Sequence, residues 1–211
     1  MNPLKYRSVF LSDLHLGTRW CRAGNLSGFI SSVECENLFL VGDIIEGWNM
    51  GPRGAWPASH STVLRSIVSL AGKTSVTYIP GNHDEFLRGY EGTHFGGVTV
   101  ADRMIHEAAD GCRFLVIHGD QFDGVILNAR WLAFLGDRAY DAAIVVNRMV
   151  GAVRNLLGQP YWSFSSWAKV KVKKAVAFVG AFRDLLAEEA RRCGADGVIC
   201  GHIHHAEICE L

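Results

Sequence analysis

The chain has 211 residues, and hydrophobic residues make up 49% of it, which suits one domain with a sizeable core. Lysine and arginine together number 21, as do aspartate and glutamate, so no overall field favours nucleic acid or an anionic membrane. The six cysteines form no Cys-x-x-Cys pair, and the chain has no apolar secretory segment or bilayer-spanning run. These features favour a cytoplasmic protein with reduced thiols.

The first predicted strand, Tyr6–Leu11, is followed by an acid and an imidazole, Asp13 and His15. Because these residues are two positions apart in an extended segment, their side chains point to the same side. A mixed set of oxygen and nitrogen donors suits manganese, iron or zinc rather than calcium. A helix is predicted next from apolar residues at helical spacing: Leu26, Phe29, Ile30 and Val33.

A run of apolar residues from 38 to 41, preceded by Asn37, closes at Gly42 and Asp43. The run predicts a buried parallel strand, and ligands in open α/β sheets gather at the carboxyl ends of such strands. We therefore expect Asp43 at the rim of a pocket. A single Gly-Asp pair is more often a turn, so its functional weight comes from the same pattern recurring at later strand ends.

The loop 47–57 is rich in glycine and proline, and its two tryptophans fit either the core or the wall of a substrate cleft. Ser61 is expected to cap the helix that follows. The next predicted strand, Ser75–Ile79, leads to Asn82, which offers a neutral carbonyl oxygen, and to His83 beside it.

Three short strands are predicted between residues 97 and 117: Val98–Val100, Met104–Ala108 and Arg113–Ile117. Asp110-Gly111 is typical of a hairpin turn between the last two. This antiparallel portion indicates a second sheet, and its last strand ends at His118, again a metal-type ligand.

Residues 125 to about 180 interrupt the α/β alternation and predict a helical insertion. Aromatic residues are grouped there: Trp131, Phe134, Trp162, Phe164 and Trp167. A basic run follows them: Lys169, Lys171, Lys173 and Lys174. The insertion fits a lid over a substrate or an additional core-packing layer with solvated lysines, and the sequence leaves both open. Its last helix is expected to end at Gly194.

The final predicted strand, Asp196–Cys200, leads to a second pair of residues two positions apart, His202 and His204. Each metal-type ligand considered alone is more often structural, but here they occur at successive strand ends in five separate motifs. The full set is Asp13, His15, Asp43, Asn82, His118, His202 and His204.

These motifs, from residue 11 to 205, closely resemble the calcineurin-like metallophosphoesterase family. The resemblance implies an α/β fold, a two-sheet α/β/α sandwich with a helical lid insertion, and two divalent metal ions, Mn²⁺ by preference with Fe or Zn as alternatives. One ion would be held by Asp13, His15, Asp43 and His204, and the other by Asp43, Asn82, His118 and His202. It further implies that His83 contacts the phosphate and protonates the leaving oxygen, with Asp84 orienting its ring.

Within the family, the segments Ser12–Gly17, Gly42–Trp48 and His118–Asp120, together with the insertion, resemble the UDP-2,3-diacylglucosamine diphosphatase branch. That branch hydrolyses a pyrophosphate in a nucleotide-linked acylated sugar during lipid A synthesis. Candidate substrate-binding residues are Trp48, Arg88, Trp131, Trp162, Trp167, Lys169 and Lys173. The best-known members carry arginine where this chain has His83. A soluble metallophosphodiesterase or phosphatase of another substrate is therefore the alternative, and a non-catalytic scaffold is the least favoured reading.

The domain expectation is a single metallophosphoesterase domain over residues 1–211, with C-terminal strands missing or shortened relative to the family. The expected partner is a phosphorylated small molecule, such as a nucleotide-linked glycolipid, and no nucleic acid. The expected location is the cytoplasm, with peripheral contact at the inner face of the membrane through the insertion.

Overall fold

The computed structural model describes residues 3–47, 56–124 and 180–210. The helices are α1 (Ala23–Ser32), α2 (Ala58–Leu70) and α3 (180–193), with 3-10 helices at Glu85–Tyr90 and Asp120–Phe122. The strands are β1 (Leu4–Leu11), β2 (Val33–Val41), β3 (Ser75–Ile79), β4 (His94–Phe95), β5 (Val98–Val100), β6 (Met104–Glu107), β7 (Arg113–Val116) and β8 (Gly197–Ile199).

The chain divides into two compact units, residues 1–120 with 186–211 and residues 121–185. Most of the second unit lies outside the described residues, and so does the predicted helical insertion from 125 to about 180. The single-domain expectation and the lid therefore stay predictions. Within the described part of the chain, no helix combines the length and apolar character needed to cross a membrane.

Two sheets form, as predicted. The first has the order β1-β2-β3-β5-β4, in which β1, β2, β3 and β5 run parallel and β4 is antiparallel. The second has the order β6-β7-β8, with β6 antiparallel and β8 parallel to β7. This arrangement agrees with an α/β sandwich. The prediction was wrong about β5, because that strand pairs with β3 in the first sheet and not with the antiparallel hairpin.

Alternate residues of β2 explain why its apolar run is continuous. Leu38 and Leu40 pack on the side of α1 and α2, with Ile30 and Val63 among their neighbours in one core cluster. The intervening residues, Phe39 and Val41, form a second cluster with Ile79 of β3 and with Val116 of the other sheet. A strand that is covered on both faces needs apolar residues at every position.

Two predicted helix boundaries were wrong. The helix that Ser61 was expected to cap begins at Ala58, after Pro57, and the Ser61 amide already donates to the Pro57 carbonyl at 3.3 Å. The first helix ends at Ser32, because Val33 pairs with Leu4 and opens β2. Pro57 therefore sets the start of α2 in place of Ser61. Pairing with β1 draws Val33 into a strand, although its spacing fits the helix.

Candidate metal centre

Five of the predicted ligands follow the carboxyl ends of parallel strands. Asp13 follows β1, Asp43 follows β2, Asn82 follows β3, His118 follows β7 and His202 follows β8. Backbone hydrogen bonds join neighbouring strand ends within each sheet, and the His202 amide joins the two sheets by donating to Asp13 Oδ1 at 3.2 Å. The Asp13 amide donates to the Gly42 carbonyl at 3.0 Å, and the Gly201 amide donates to the His118 carbonyl at 3.1 Å. The strand ends therefore meet at one edge.

Several residues at this edge have a left-handed backbone conformation, which is strained for residues other than glycine. Within the described ranges, the non-glycine residues with positive φ are Asp13 (55°), His15 (46°), Asp43 (54°), His202 (74°) and His204 (49°). All five are predicted metal ligands. The left-handed region is unfavourable for residues with a Cβ, and such strain gathers at functional sites. The conformation of the chain thus singles out five of the seven residues that the sequence motifs predict as ligands.

The ligand atoms form clusters in which all members lie within 4.8 Å of one another. The clusters that could hold a metal ion in the described part of the chain are Asp13–His15–His204, Asp43–His118–His202 and His15–Asp43–His83. Each of the first two brings together three of the four residues in one of the ligand sets that the resemblance implies. The third joins them through His15 and Asp43.

Asp43 occupies the position between the two sets. Its Oδ2 atom lies 3.3 Å from Nε2 of His118 and 3.9 Å from Nε2 of His15. Burial alone would raise the pKa of Asp43, but the hydrogen bonds from His118 and the His83 amide, with the charges of both rings, lower it to about 2. Asp43 is therefore an anion facing both clusters, as a bridging ligand requires.

Two glycines make this close approach possible. A Cβ at Gly42, whose φ is 71°, would collide with the His118 ring. A Cβ at Gly81 would collide with the Asp43 carboxylate and the His118 ring. The glycines that precede Asp43 and Asn82 in their motifs are thus needed for space at the centre.

The Asn82 side chain supplies a test of whether a cation fits. Its Oδ1 atom is buried and has no hydrogen-bond partner. A buried carbonyl oxygen without a partner is unfavourable, and buried polar atoms are nearly always satisfied. A divalent cation bound at this oxygen would satisfy it. The mixed carboxylate, amide and imidazole donors fit a pair of divalent metal ions.

Comparison with known proteins identifies the family. Residues 6–206 match the family described as calcineurin-like phosphoesterase. This chain belongs to that family. Members of that family are metal-dependent phosphoester hydrolases.

Two other comparisons add little to the family assignment of this calcineurin-like phosphoesterase. No curated protein matches it significantly. The crystal structure of the protein of unknown function AQ665 from Aquifex aeolicus matches at 21% identity over 56% of this chain and 61% of that one, with a TM-score of 0.34. The match spans less than two thirds of that protein, and at this TM-score it bears on neither fold nor function.

Glu46 is a residue of the phosphoesterase site that sequence reasoning missed. It is buried, at 2% exposure, and its Oε2 atom lies 2.9 Å from Nδ1 of His83 and 3.3 Å from Nδ1 of His15. Burial favours a higher pKa for Glu46, but its contacts with His83 and His15 lower the pKa below the usual value. The sequence signal that could have identified Glu46 was its position three residues after Asp43. In the structure the Glu46 amide donates to the Leu16 carbonyl, so Glu46 lies beside the loop that follows β1.

The expectation for Asp84 disagrees with the contacts. Its carboxylate is fully buried and accepts hydrogen bonds from backbone amides and from the Tyr78 hydroxyl at 2.6 Å, and none from the His83 ring. Glu46 takes the place beside His83 that Asp84 was expected to fill. Burial raises the pKa of Tyr78 well above its ordinary value and the charge of Asp84 raises it further, so the phenol remains a donor.

Arg88 is the one candidate substrate-binding residue among the described residues. Its Nη2 atom donates to Asp120 Oδ2 at 2.6 Å and to the Pro80 carbonyl at 3.3 Å, so the guanidinium is tied to the loops that carry His118 and Asn82. Its contact with substrate stays a prediction. The other candidates lie outside the described residues: Trp48, Trp131, Trp162, Trp167, Lys169 and Lys173.

Proposed function

We propose that this phosphoesterase uses two divalent metal ions to hydrolyse the pyrophosphate of a nucleotide-linked acylated sugar, of the kind represented by UDP-2,3-diacylglucosamine. The observation that carries the dinuclear part is the position of Asp43. One carboxylate oxygen lies 3.3 Å from a histidine of one cluster and 3.9 Å from a histidine of the other. A carboxylate shared in this way is the feature that pairs two cations in hydrolytic sites.

The chain's residues divide between the two ions. Asp13, His15, Asp43 and His204 would hold one, and Asp43, Asn82, His118 and His202 would hold the other. When bound, such ions polarise phosphoryl oxygens and lower the pKa of water. The donor set suits Mn²⁺, with Fe and Zn as alternatives.

His83 would act on the substrate itself. Glu46 holds its Nδ1 atom at 2.9 Å, while its Nε2 atom lies 4.0 Å from Asp43 Oδ2, on the side of the clusters. The ring is 23% exposed, so a substrate can reach it. With Nδ1 occupied by the carboxylate, Nε2 is the atom presented to the phosphoryl group. In its protonated form the ring would donate this proton to the leaving oxygen.

The acylated substrate is inferred from the branch resemblance and from residues 125–180. Aromatic side chains next to four lysines fit a peripheral membrane contact. Each lysine near an anionic surface contributes roughly 1 kcal/mol, and each buried acyl methylene contributes about 0.8 kcal/mol. In the alternative, the aromatics pack inward and the enzyme acts on a soluble phosphodiester or phosphomonoester.

A substrate panel with Mn²⁺-loaded protein tests the proposal. It comprises UDP-diacylglucosamine, its deacylated form, other nucleotide diphosphate sugars and bis-p-nitrophenyl phosphate. We expect the acylated substrate to give the highest kcat/KM. An equal or higher value for the deacylated form would favour the soluble alternative. No metal binding and no turnover of any substrate would favour the non-catalytic scaffold.

Charge reversal separates the membrane contact from the chemistry. Changing Lys169, Lys171, Lys173 and Lys174 to glutamate should weaken binding to anionic liposomes and reduce the preference for the acylated substrate. The matched control is Lys5→Glu with Lys73→Glu, two exposed lysines of the first unit. Turnover of bis-p-nitrophenyl phosphate should change little in either protein. Unchanged liposome affinity and unchanged acyl preference would refute the lid.

A further inference from the structure

Asp84 is a buried anion enclosed by donors. It has no exposed surface, and its carboxylate accepts five hydrogen bonds. The donors are the amides of Asp43 (3.2 Å), Ile44 (2.7 Å), Ile45 (3.3 Å) and Gly81 (2.5 Å) and the Tyr78 hydroxyl (2.6 Å). Four of the five donors are backbone groups. The carboxylate therefore acts on the conformation of the chain and not on a neighbouring ring.

Three of these amides are consecutive, from Asp43 to Ile45. Successive amides that point at one place form an anion-binding concavity, which requires left-handed backbone nearby. Gly42 and Asp43 supply it, with φ values of 71° and 54°. The loop after β2 is thus a small anion site, and the chain fills it with its own side chain, Asp84.

The same carboxylate also holds the neighbouring loop. Gly81, whose amide donates to Asp84, immediately precedes Asn82. In return, the His83 amide donates to Oδ1 of Asp43 at 2.9 Å, which leaves Oδ2 facing His118 and His15. Two loops that carry ligands are therefore tied to each other in both directions.

We propose that Asp84, supported by Tyr78, is a positioning residue that holds Asp43 in the left-handed conformation from which its carboxylate faces both ligand clusters. The inference rests on the proposed metal centre. It assigns Asp84 a task different from orienting His83, and it includes Tyr78, which no motif contains.

Two variants test the proposal. In Asp84→Asn an amide NH₂ replaces one acceptor oxygen and faces the amide donors of the loop. In Tyr78→Phe only the hydroxyl is lost. The control is Glu189→Gln, a largely buried carboxylate whose contacts among the described residues are with Arg103 (2.7 Å), Arg192 (2.6 Å) and Cys193. This control loses charge-assisted hydrogen bonds to two arginines without touching the ligand loops.

The primary readout is calorimetric titration of Mn²⁺ into metal-free protein, with thermal unfolding in chelator measured alongside. We expect Asp84→Asn to weaken Mn²⁺ binding at both sites by about 10- to 100-fold, as loss of a residue that orients ligands typically does. We expect a drop in kcat on bis-p-nitrophenyl phosphate with KM changed by less than about threefold. Tyr78→Phe should move both quantities in the same direction by less. Glu189→Gln should lower Tm and leave Mn²⁺ affinity unchanged.

The inference fails if Asp84→Asn lowers Tm as Glu189→Gln does but binds Mn²⁺ like the wild type, because its role is then only structural. If Asp84→Asn does not fold, wild-type Mn²⁺ affinity in Tyr78→Phe refutes the inference equally. A wild-type protein that binds no Mn²⁺ would overturn the proposed function and this inference with it. Wild-type binding retained by both variants would overturn the inference alone.

Discussion

Glu46 and His83 are joined by a contact of 2.9 Å between Oε2 of the carboxylate and Nδ1 of the imidazole. The same oxygen lies 3.3 Å from Nδ1 of His15. One buried carboxylate therefore orients both a predicted metal ligand and the histidine expected to act on the substrate. A carboxylate behind a ligating histidine fixes the ring and the atom that it presents to the metal.

Glu46→Gln should therefore reduce activity without removing the fold. A carboxylate can accept hydrogen bonds from both rings, whereas a glutamine has one acceptor oxygen and presents an NH₂ donor to the second ring. We expect kcat to fall by about 10- to 100-fold. The control is Glu34→Gln, an exposed glutamate that pairs with Lys5 at 3.5 Å. A kcat within twofold of wild type in Glu46→Gln would contradict the orienting role.

His83→Ala should remove the proton donor while leaving metal binding intact. The protein should still bind two equivalents of Mn²⁺, since the predicted ligand sets do not include His83, while kcat falls by about 10²- to 10⁴-fold through loss of the proton donor. Metal content measured by elemental analysis and kcat measured on bis-p-nitrophenyl phosphate check this. His94→Ala, at an exposed histidine that contacts Thr99, is the matched control. Loss of metal as the first effect would make His83 a ligand.

Asp43→Ala should remove both metals, or leave one weakly bound, and abolish turnover. The reason is that Asp43 is the carboxylate shared by the two clusters, so its loss damages both at once. Titration of Mn²⁺ into the variant gives the stoichiometry directly, and the exposed Asp102→Ala serves as control. Two tightly bound Mn²⁺ ions in Asp43→Ala would show that this carboxylate does not bridge them.

His60 should make stability depend on pH. It is buried, and its Nδ1 atom accepts a hydrogen bond from the Gly17 amide at 2.8 Å, in the loop that follows His15. Burial lowers the pKa of His60 below its ordinary value of 6.5. At pH values below 6.5 the unfolded chain binds a proton that the folded chain resists. The contribution of His60 to stability is therefore complete above pH 6.5 and is lost as the pH falls through the lowered folded value.

The measurement is urea unfolding of metal-free protein between pH 7 and pH 5. His60→Asn is the comparison, because the asparagine oxygen can accept the same amide hydrogen and does not titrate. Wild type should lose more unfolding free energy than His60→Asn over this range, and the difference isolates His60 from the other histidines. Parallel curves for the two proteins would show that His60 does not titrate with folding.

Local sequence was enough to predict most of the strands and the candidate ligands at their ends. An apolar run that stops at a glycine followed by an acid, amide or imidazole depends only on neighbouring residues, so Asp43, Asn82 and His118 could be located without tertiary information. The paired spacing in Asp13-x-His15 and His202-x-His204 depends equally on local geometry. The same signals were enough to recognise the family, because its motifs consist of these residues.

Only the tertiary structure decided which carboxylate serves which group. Asp84 is next to His83 in sequence, yet it contacts the loop of Asp43, while Glu46, which lies 37 residues before His83, contacts the His83 ring. The pairing of β5 with β3 and the contact of His60 with Gly17 were likewise decided only by the tertiary structure. A chain's local pattern fixes which residues end a strand, but the partner of a buried side chain depends on how separate loops meet in space.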